Sequence, residues 1–534
     1  MTAEIWDVII VGAGLSGLSA ADLLKKRNDK LKILVTEAKD RVGGRTVTSE
    51  IPAANGVDRW DFGGQWVGST QPHVLELIKE LGIETYRQFT NGKKVYHTGG
   101  PDAKIRIGEG GLPASSLLGL LDLAQLYWKI DKLTATICVE DPSKSPNAFE
   151  LDSMTLQTFI DRHAWTAEVK EQMAMANRPL FGMEPCQTSF LYFLMYAAAA
   201  GGLKALLEST EGSAQELKLK GGTQQLSEGL AERIGWKNVQ LGAAVTAIWQ
   251  DAEYAKVMTA TNTYLCRAVI VTCPPHLAAK IQYEPPLPSQ REFLTMNMPM
   301  GHILKFIITY KTAFWKEKGF SGEVVTGSSS KCPFNLTLDA SSPYGSPALV
   351  GFIAGEQATE WSPKEFEERR DAVVSSLVKY LGPEAASFIH YGEKDWAKEP
   401  YSGGCPVNIM VPGALTYYHS SLREPCGRIH WASTETATNW CGYMSGAIQE
   451  GHRAAREVLA KLCPDALTQE DKEAAKERQT VKQEEPSKFS FLPSIKTLVM
   501  AAVAVGAAVF LAQNPDVLQN ATTYVTKWFS NDQE

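Results

Sequence analysis

The hydrophobic pattern of the first forty residues predicts a strand, a helix and a second strand in quick succession. Residues 8–11 (Val-Ile-Ile-Val) form an unbroken β-branched run, typical of a strand buried on both faces. An apolar helix is predicted to continue to about Leu24, and a second strand from Leu31 to Thr36. This order is that of a βαβ unit in a parallel sheet.

Farther along the chain the pattern alternates between helical and strand-like segments. Residues 90–210 read as helical, since their apolar runs at 117–126 and 190–200 carry few β-branched stretches. Three more helices are predicted at 225–234, at 364–381 and from about 446. Short β-rich runs predict strands at 239–241, 245–249, 268–272, 303–310, 348–353 and 428–433.

A chain of 534 residues is too long for one core, so more than one domain is expected. We predict an α/β fold in which a discontinuous Rossmann-type nucleotide-binding domain carries an inserted α+β substrate domain, followed by a C-terminal membrane helix. The predicted boundaries are 1–89, 213–290 and 392–464 for the nucleotide-binding segments, 90–212 and 291–391 for the substrate domain, 465–496 for a charged linker, 497–513 for the membrane span and 514–534 for the tail.

A glycine motif joins the first strand to the first helix. In Gly12-x-Gly14-x-x-Gly17, the first glycine permits a tight turn, the second lets the backbone approach a pyrophosphate, and the third allows close helix–strand packing. Glu37 ends the second strand, where an acidic residue binds a ribose hydroxyl. A lone glycine motif is weak, and a purely structural turn is the alternative, but the placement of the acid favours dinucleotide binding.

The run Arg41-Val-Gly-Gly44-Arg45 follows directly and adds two cations and two flexible residues. Arginine binds phosphate oxygens through two parallel hydrogen bonds, so this run is suited to a second phosphate contact.

Composition narrows the function classes. A net charge of −7 argues against nucleic acid as the main partner. The nine cysteines are scattered and lack metal-ligand spacing, so we expect free thiols in a reducing compartment and no metal. No basic and apolar leader precedes the first strand, so no signal peptide is expected.

The apolar run at 497–512 predicts a short membrane anchor. A helix of this length reaches about 24 Å, less than a hydrocarbon core of about 30 Å, so local thinning or snorkelling has to cover the difference. Lys488, Lys496 and Trp528 flank the run and suit a membrane interface. A buried or partner-binding helix is the alternative.

Further motifs lie outside the first segment. They are Gly63-Gly64, Gly221-Gly222, Met300-Gly-x-x-x-Lys305, Tyr401-Ser-Gly-Gly-Cys405, Thr434-Glu435-Thr436-Ala-Thr438 and Trp440-x-Gly-Tyr443-Met-x-Gly446-Ala. Together with the glycine motif they resemble the flavin-dependent monoamine oxidases over nearly the whole chain. The resemblance implies an FAD-binding domain, and a tail anchor in the mitochondrial outer membrane with the enzyme facing the cytosol.

The resemblance assigns roles around FAD. Cys405 is expected to carry FAD through an S-8α-cysteinyl thioether, and Lys305 to bond flavin N5 through water. Trp396 is expected to pack on the ring system and Glu435 to bond the ribityl region. The cofactor-binding residues so implied are Gly12, Gly14, Gly17, Glu37, Arg41, Gly44, Arg45, Gly64, Val245, Trp396, Cys405 and Glu435.

The substrate side departs from the family pattern. The family flanks the amine with two tyrosines: Tyr443 matches one, but Pro406 stands where the other is expected. Tyr417 or Tyr418 could fill the missing wall of the cage. Gln215 and Phe352 match further pocket positions, and Trp66 replaces a family tyrosine.

The implied reaction is the oxidative deamination of primary monoamines, with secondary and tertiary monoamines as alternative substrates, to aldehyde, ammonia and hydrogen peroxide, with O₂ as the oxidant. Lys305 and Tyr443 are the expected catalytic residues. The competing readings are a polyamine or L-amino-acid oxidase, a nicotinamide-dependent dehydrogenase, and a flavin-binding membrane protein with impaired turnover. A homodimer is a further expectation.

Overall fold

The structure, a computed structural model, describes residues 4–99, 103–108, 116–327 and 331–473. The predicted membrane span at 497–513, the tail at 514–534 and most of the linker at 465–496 lie outside these residues. Among the described helices, none combines the length and the apolar character that a membrane crossing needs.

The strands of the described residues follow in chain order. They are β1 (Ile5–Val11), β2 (Ile33–Thr36), β3 (Thr48–Ala53), β4 (Gly56–Asp61), β5 (Trp66–Val67), β6 (Thr85–Arg87), β7 (Lys93–His97), β8 (Arg106–Gly108), β9 (Leu217–Leu219), β10 (Val239–Gln240), β11 (Val245–Gln250), β12 (Ala255–Thr259), β13 (Thr263–Val271), β14 (Gln282–Glu284), β15 (Ile303–Tyr310), β16 (Phe320–Thr326), β17 (Leu336–Asp339), β18 (Ala348–Ala354), β19 (Phe388–Asp395) and β20 (Ile429–Trp431).

The helices are labelled in the same way. They are α1 (Leu15–Arg27), α2 (Pro72–Glu80), α3 (Leu117–Thr134), α4 (Ala148–Asp152), α5 (Leu156–His163), α6 (Ala167–Phe181), α7 (Phe190–Ala199), α8 (Leu203–Leu207), α9 (Gln224–Ile234), α10 (Pro275–Ala278), α11 (Ser289–Met296), α12 (Phe314–Glu317), α13 (Glu356–Trp361), α14 (Phe366–Leu381), α15 (Ala414–Tyr418) and α16 (Met444–Leu462).

The first large sheet has the order β10-β2-β1-β13-β12-β11-β14, with β20 paired to β13. The strands β2, β1, β13 and β20 are parallel, so their carboxyl ends meet at one edge. Helices α1 and α16 pack together in the core that covers this sheet, because their small and branched residues share one apolar cluster. Ligands of parallel sheets bind outside such an edge, which makes it the place to look for a nucleotide.

The second large sheet has the order β19-β15-β18-β17-β16-β7-β8. The strand β15, next to the edge strand β19, is buried along its whole length and runs antiparallel to both β18 and β19. Several other helices, among them α5 and α7, form a separate apolar core around Phe159, Phe190 and Phe193.

Most of the predicted elements are present, with shifts at their ends. The helix predicted to about Leu24 continues to Arg27, and the second strand begins at Ile33 rather than at Leu31. Both shifts lie in the polar turn between them, where hydrophobic periodicity carries no signal. The domain boundaries stay predictions.

The helical reading of residues 90–210 was wrong at its start. The strands β7 and β8 lie there and join the second sheet, where β7 pairs in parallel with β16. The partner strand is more than two hundred residues away, so tertiary pairing rather than local pattern decides the structure of this segment.

Candidate active site

The turn after β1 forms a cradle for a pyrophosphate. A Cβ on Gly17 would lie 2.0 Å from the Gly12 carbonyl oxygen, and Gly12 has a φ of +108°, so both positions require glycine. A Cβ on Gly14 would meet nothing nearer than an oxygen 4.0 Å away, so this backbone is open to a ligand. The N-terminus of α1 has no side-chain cap and no acidic residue in its first turn. Its amide groups are therefore available to phosphate oxygens, which fits FAD.

Glu37 lies at the carboxyl end of β2, beside this turn. Its carboxylate accepts hydrogen bonds from the amide of Ala13 at 2.7 Å and from the amide of Lys39 at 2.9 Å. The acid is thus fixed next to the glycine motif, as the predicted ribose contact requires. The contact itself stays a prediction.

The two arginines of the following loop have different surroundings. Arg41 donates to the carbonyl oxygens of Val42, Gly44 and Thr46, within its own loop, and its Nη2 lies 3.5 Å from Oε1 of Glu399. Arg45 pairs with Glu435, its Nη1 lying 2.6 Å from Oε1. The predicted phosphate contacts of both arginines stay predictions.

The Arg45–Glu435 pair is buried at the edge where the parallel strands end. The carboxylate side chain has no exposed surface. Burial acts to raise the pKa of Glu435, but the charge and hydrogen bonds of Arg45 outweigh burial and hold this pKa below its ordinary value. Arg45 also donates to the carbonyl oxygen of Pro406 at 2.8 Å, so it connects the glycine-rich loop to the segment around Cys405.

The backbone before Cys405 needs two glycines in the left-handed region, Gly403 at a φ of +64° and Gly404 at +135°. A Cβ on Gly404 would lie 2.3 Å from the carbonyl oxygen of Gly301, and the amide of Cys405 donates to that oxygen at 2.9 Å. Burial raises the pKa of the Cys405 thiol to about 12, although the positive charges of Arg45 and Lys305 act in the opposite direction.

Lys305 is buried on β15 of the second sheet, with 3% of its surface exposed. Its ammonium group donates to the Gly63 carbonyl at 2.9 Å and to Oε1 of Gln65 at 2.5 Å. Burial lowers its pKa to about 7, against the opposing charges of Asp61 and Cys405.

Aromatic rings enclose this lysine. Its nitrogen lies 5.7 Å from the ring centroids of both Trp66 and Phe352, and Phe352 is its direct partner across the β15–β18 pair. These two rings, together with Cys405, pack against the same apolar cluster as Trp396. The structure therefore brings four of the predicted residues, Lys305, Phe352, Trp396 and Cys405, to one place.

Trp396 follows β19 and is 2% exposed. Its Nε1 donates to the carbonyl oxygen of Phe62 at 2.9 Å, which fixes the plane of the indole next to the Gly63-Gly64 turn. Gly64 is held there because Thr223 donates to its carbonyl oxygen at 2.6 Å. The turn and the tryptophan thus form one rigid unit beside Lys305.

Tyr443 stands immediately before α16. Its ring lies 4.9 Å from that of Trp440 and 6.0 Å from that of Tyr196, measured between centroids. Burial raises the pKa of Tyr443 well above its ordinary value, so it stays a neutral phenol.

Gln215 has an amide oxygen that is buried without a hydrogen-bond partner, while its Nε2 donates to Leu206 at 3.2 Å. An unpaired buried acceptor is costly, so the side chain is suited to receive a donor from a ligand.

The two tyrosines proposed for the missing wall contact other rings than Tyr443 does, although Tyr418 packs against the same apolar cluster as Tyr443. Tyr417 is 63% exposed and packs edge-on against Phe149 at 5.8 Å, and Tyr418 stacks on Phe293 at 6.0 Å. Their ring contacts therefore differ from those of Tyr443, and nothing supports either of them as a substitute for the tyrosine that Pro406 replaces.

Val245 and Gly44 lie close to the glycine motif. Val245 begins β11, just after Ala243, whose amide donates to the carbonyl oxygen of Glu37 at 2.8 Å. A Cβ on Gly44 would lie 3.6 Å from the Cα of Gly14. Both positions therefore lie near the glycine motif, and their contacts with a nucleotide stay predictions.

Sequence reasoning missed Gln65 and Tyr196. Gln65 accepts a hydrogen bond from Lys305, and its position directly after Gly63-Gly64 was a usable signal. Tyr196 lies within the uniformly apolar α7, where nothing distinguishes a pocket residue from a core residue. Within the described residues no group of acidic, histidine and cysteine side chains could hold a metal ion.

Comparisons with known proteins agree with this geometry. The family model described as flavin containing amine oxidoreductase matches residues 15–459. The flavin-containing amine oxidase A of Equus caballus is 39% identical over 466 residues, which is 86% of each chain.

Two solved structures are similar in fold. The cyclohexylamine oxidase of Brevibacterium oxydans IH-35A superposes with a TM-score of 0.80 at 31% identity and covers 86% of this chain and 100% of its own. A wild-type putrescine oxidase bound to putrescine has the same TM-score at 30% identity, with the same coverage. The chain therefore belongs to the flavin-containing amine oxidoreductases, and it is an FAD-dependent amine oxidase that oxidatively deaminates small amines with O₂.

Proposed function

We propose that this chain deaminates monoamines on FAD that is covalently attached to Cys405. The observation that carries the proposal is the convergence of Cys405, Lys305 and Trp396 on one aromatic cluster. Bound FAD would accept two electrons from the amine and pass them to O₂, giving imine and hydrogen peroxide. The imine is then hydrolysed by water to aldehyde and ammonia.

The protein's own contribution is orientation and exclusion of water. Trp66, Phe352 and Tyr443 form apolar surfaces, which disfavour a charged ammonium and so favour the neutral amine. The ammonium group of Lys305 donates hydrogen bonds to two neutral acceptors. With a pKa of about 7, it can carry or release a proton close to neutral pH. Lys305 and Tyr443 are the side chains that we assign to catalysis.

Attachment would proceed through the sulfur of Cys405, which bonds as thiolate to the 8α-carbon of FAD. In the net reaction the thiol and the 8α-methyl group would each give up one hydrogen as the C–S bond forms, and O₂ would take up both as hydrogen peroxide. Arg45 and Lys305 favour the thiolate form against the burial that opposes it.

Acid denaturation of the purified protein tests the attachment. We expect yellow flavin in the protein pellet, and free flavin in the supernatant for Cys405→Ala. Cys441→Ala is the matched control, since Cys441 is another buried thiol whose pKa burial raises to about 12. Free flavin from the unmodified chain would contradict the covalent link.

A diamine oxidase is the second candidate, favoured by the similarity to the putrescine-bound enzyme. Peroxide release with phenethylamine, serotonin, putrescine, spermine and leucine separates the two. Turnover of the monoamines supports the first candidate, whereas turnover of putrescine or spermine alone supports the second. Bound flavin without peroxide from any amine would indicate an impaired oxidase.

We also propose that the segment 497–513 anchors the enzyme in a membrane. The family resemblance indicates the mitochondrial outer membrane, with the oxidase facing the cytosol. The support is the apolar run itself, between a charged linker and an aromatic, lysine-containing tail. Association of two copies is a further proposal, which light scattering of the detergent-purified chain would test.

A further inference from the structure

His276 lies on the short helix α10, which follows β13 of the first sheet. Its ring contacts the segment 402–408, here called the cysteine loop, at both ends. The Nε2 atom lies 3.1 Å from the carbonyl oxygen of Ser402, and Nδ1 lies 3.1 Å from Oδ1 of Asn408. These contacts are placed symmetrically, three residues before and three residues after Cys405.

We propose that His276 is a positioning residue: its imidazole lies between the two ends of the cysteine loop, hydrogen-bonds one end when neutral and both when charged, and so holds Cys405 at the flavin end of the site. This proposal rests on the proposed function, because it takes Cys405 as the attachment residue. The contacts of His276 with the loop do not depend on that assignment.

The orientation of Asn408 is set by its other contacts. Its Nδ2 donates to the carbonyl oxygen of Met298 at 2.6 Å, and its backbone amide donates to Glu435 at 3.3 Å. The amide oxygen is therefore the atom that faces His276, and it can only accept. Since the Ser402 carbonyl also only accepts, both ring nitrogens of His276 face acceptors.

The number of hydrogen bonds then depends on the charge of the ring. A neutral imidazole has one N–H and bonds one end of the loop, while an imidazolium bonds both. Burial lowers the pKa of His276, although Asn408 and Glu435 act to raise it and Arg45 acts to lower it. Near neutral pH the ring is therefore mainly neutral and donates one hydrogen bond.

The loop also passes close to the ring. A Cβ on Gly403 would lie 3.0 Å from Nε2 of His276, so the glycine directly before Gly404 leaves room for the imidazole. The amide of Cys405 is bonded to the Gly301 carbonyl on the second sheet. His276 thus holds the loop from the side of the first sheet, and Gly301 holds it from the side of the second.

Hydrogen–deuterium exchange of the peptide covering 400–410 tests the proposal on the full-length, flavin-containing protein. His276→Ala removes the imidazole, and the loop amides should exchange about fivefold faster, as expected for one lost hydrogen bond. His276→Gln keeps one donor and should restore most of the protection. His97→Ala is the matched control, since His97 contacts the Tyr380 hydroxyl at 2.7 Å and the Ala103 carbonyl at 3.1 Å in the second sheet.

The fraction of flavin that stays in the acid pellet is the second readout. It should fall in His276→Ala and be unchanged in His97→Ala. Exchange of 400–410 that is equal in His276→Ala and His97→Ala would overturn the proposal. If the unmodified chain releases all its flavin, the covalent link fails, while the exchange result still decides the role of His276.

Discussion

Lys305 illustrates how burial sets the charge of a side chain at this site. Its pKa is about 7 in the folded protein, against an ordinary value of 10.5, because desolvation outweighs the nearby negative groups. Between these two values the unfolded chain binds more protons than the folded chain, so stability rises with pH across this window. Below pH 7 the cost of burying the charged lysine is present in full.

From this we predict that Lys305→Met stabilises the protein more at pH 7 than at pH 10. Exchanging a buried charge for an apolar side chain contributes about 1–4 kcal/mol in comparable cases. Thermal unfolding at the two pH values measures the difference. An equal shift in Tm at pH 7 and at pH 10 would show that burial does not lower the pKa of Lys305 in the folded protein.

The Arg45–Glu435 pair supplies a second prediction for single residues. Glu435→Gln leaves the partly buried Arg45 without its counter-charge, so we expect a loss of about 3–5 kcal/mol in the free energy of unfolding. Glu50→Gln breaks the exposed pair with Arg59 and should lose less than about 1 kcal/mol. Urea unfolding of both variants provides the comparison, and similar losses would argue against a buried pair.

At the scale of elements, the segment that joins β1 to α1 contains two glycines with different roles: Gly17 is required by packing, and Gly14 faces the predicted ligand. A Cβ on Gly17 would meet the Gly12 carbonyl at 2.0 Å, so Gly17→Ala should destabilise the fold. Gly14 has a φ of −77°, which alanine adopts freely, and a Cβ there meets only a distant oxygen. Gly14→Ala should therefore fold normally and bind FAD at least about tenfold more weakly, because its methyl group would take the space of the phosphates.

Both glycine variants are made together with Cys405→Ala, so that FAD is not held covalently. Flavin release then measures FAD binding, and thermal unfolding of the flavin-free protein measures stability. Gly56→Ala is a control for the backbone alone, because Gly56 has a φ of +104° and open space around it. Tight FAD binding by Gly14→Ala would place the pyrophosphate elsewhere.

The same elements show what the sequence could and could not predict. The βαβ unit was predictable, because its buried strands are β-branched and its turn requires glycine at Gly12 and Gly17. The strand β7 was not, because its partner β16 is remote in the chain. At the site, Lys305 was conspicuous in the sequence as a cation in an apolar strand. Gln65 and Tyr196 could be recognised only from the fold, which places Gln65 beside Lys305 and Tyr196 beside Tyr443.

At the scale of the whole molecule, the segment after α16 contacts the helices of the first sheet, because the carboxylate of Asp471 pairs with arginines on two of them. Asp471 is 1% exposed and pairs with Arg27 of α1 and Arg456 of α16, at 2.7 and 2.6 Å. Burial acts to raise its pKa, but the two arginines and Thr468 outweigh burial and hold this pKa far below its ordinary value. The packed fold therefore continues past α16 at least to Asp471.

This contact determines how the membrane proposal is tested by truncation. A chain that ends at residue 489 lacks the predicted span but keeps Asp471, so we expect it to be soluble and as stable as the full chain. A chain that ends at 464 loses Asp471 and should be less stable by about 1–3 kcal/mol, since two partly exposed arginines lose their partner. Asp471→Asn in the longer truncation should reproduce most of this loss. Sedimentation with membranes and thermal unfolding measure the two effects, and continued membrane pelleting of the chain ending at 489 would place the anchor elsewhere.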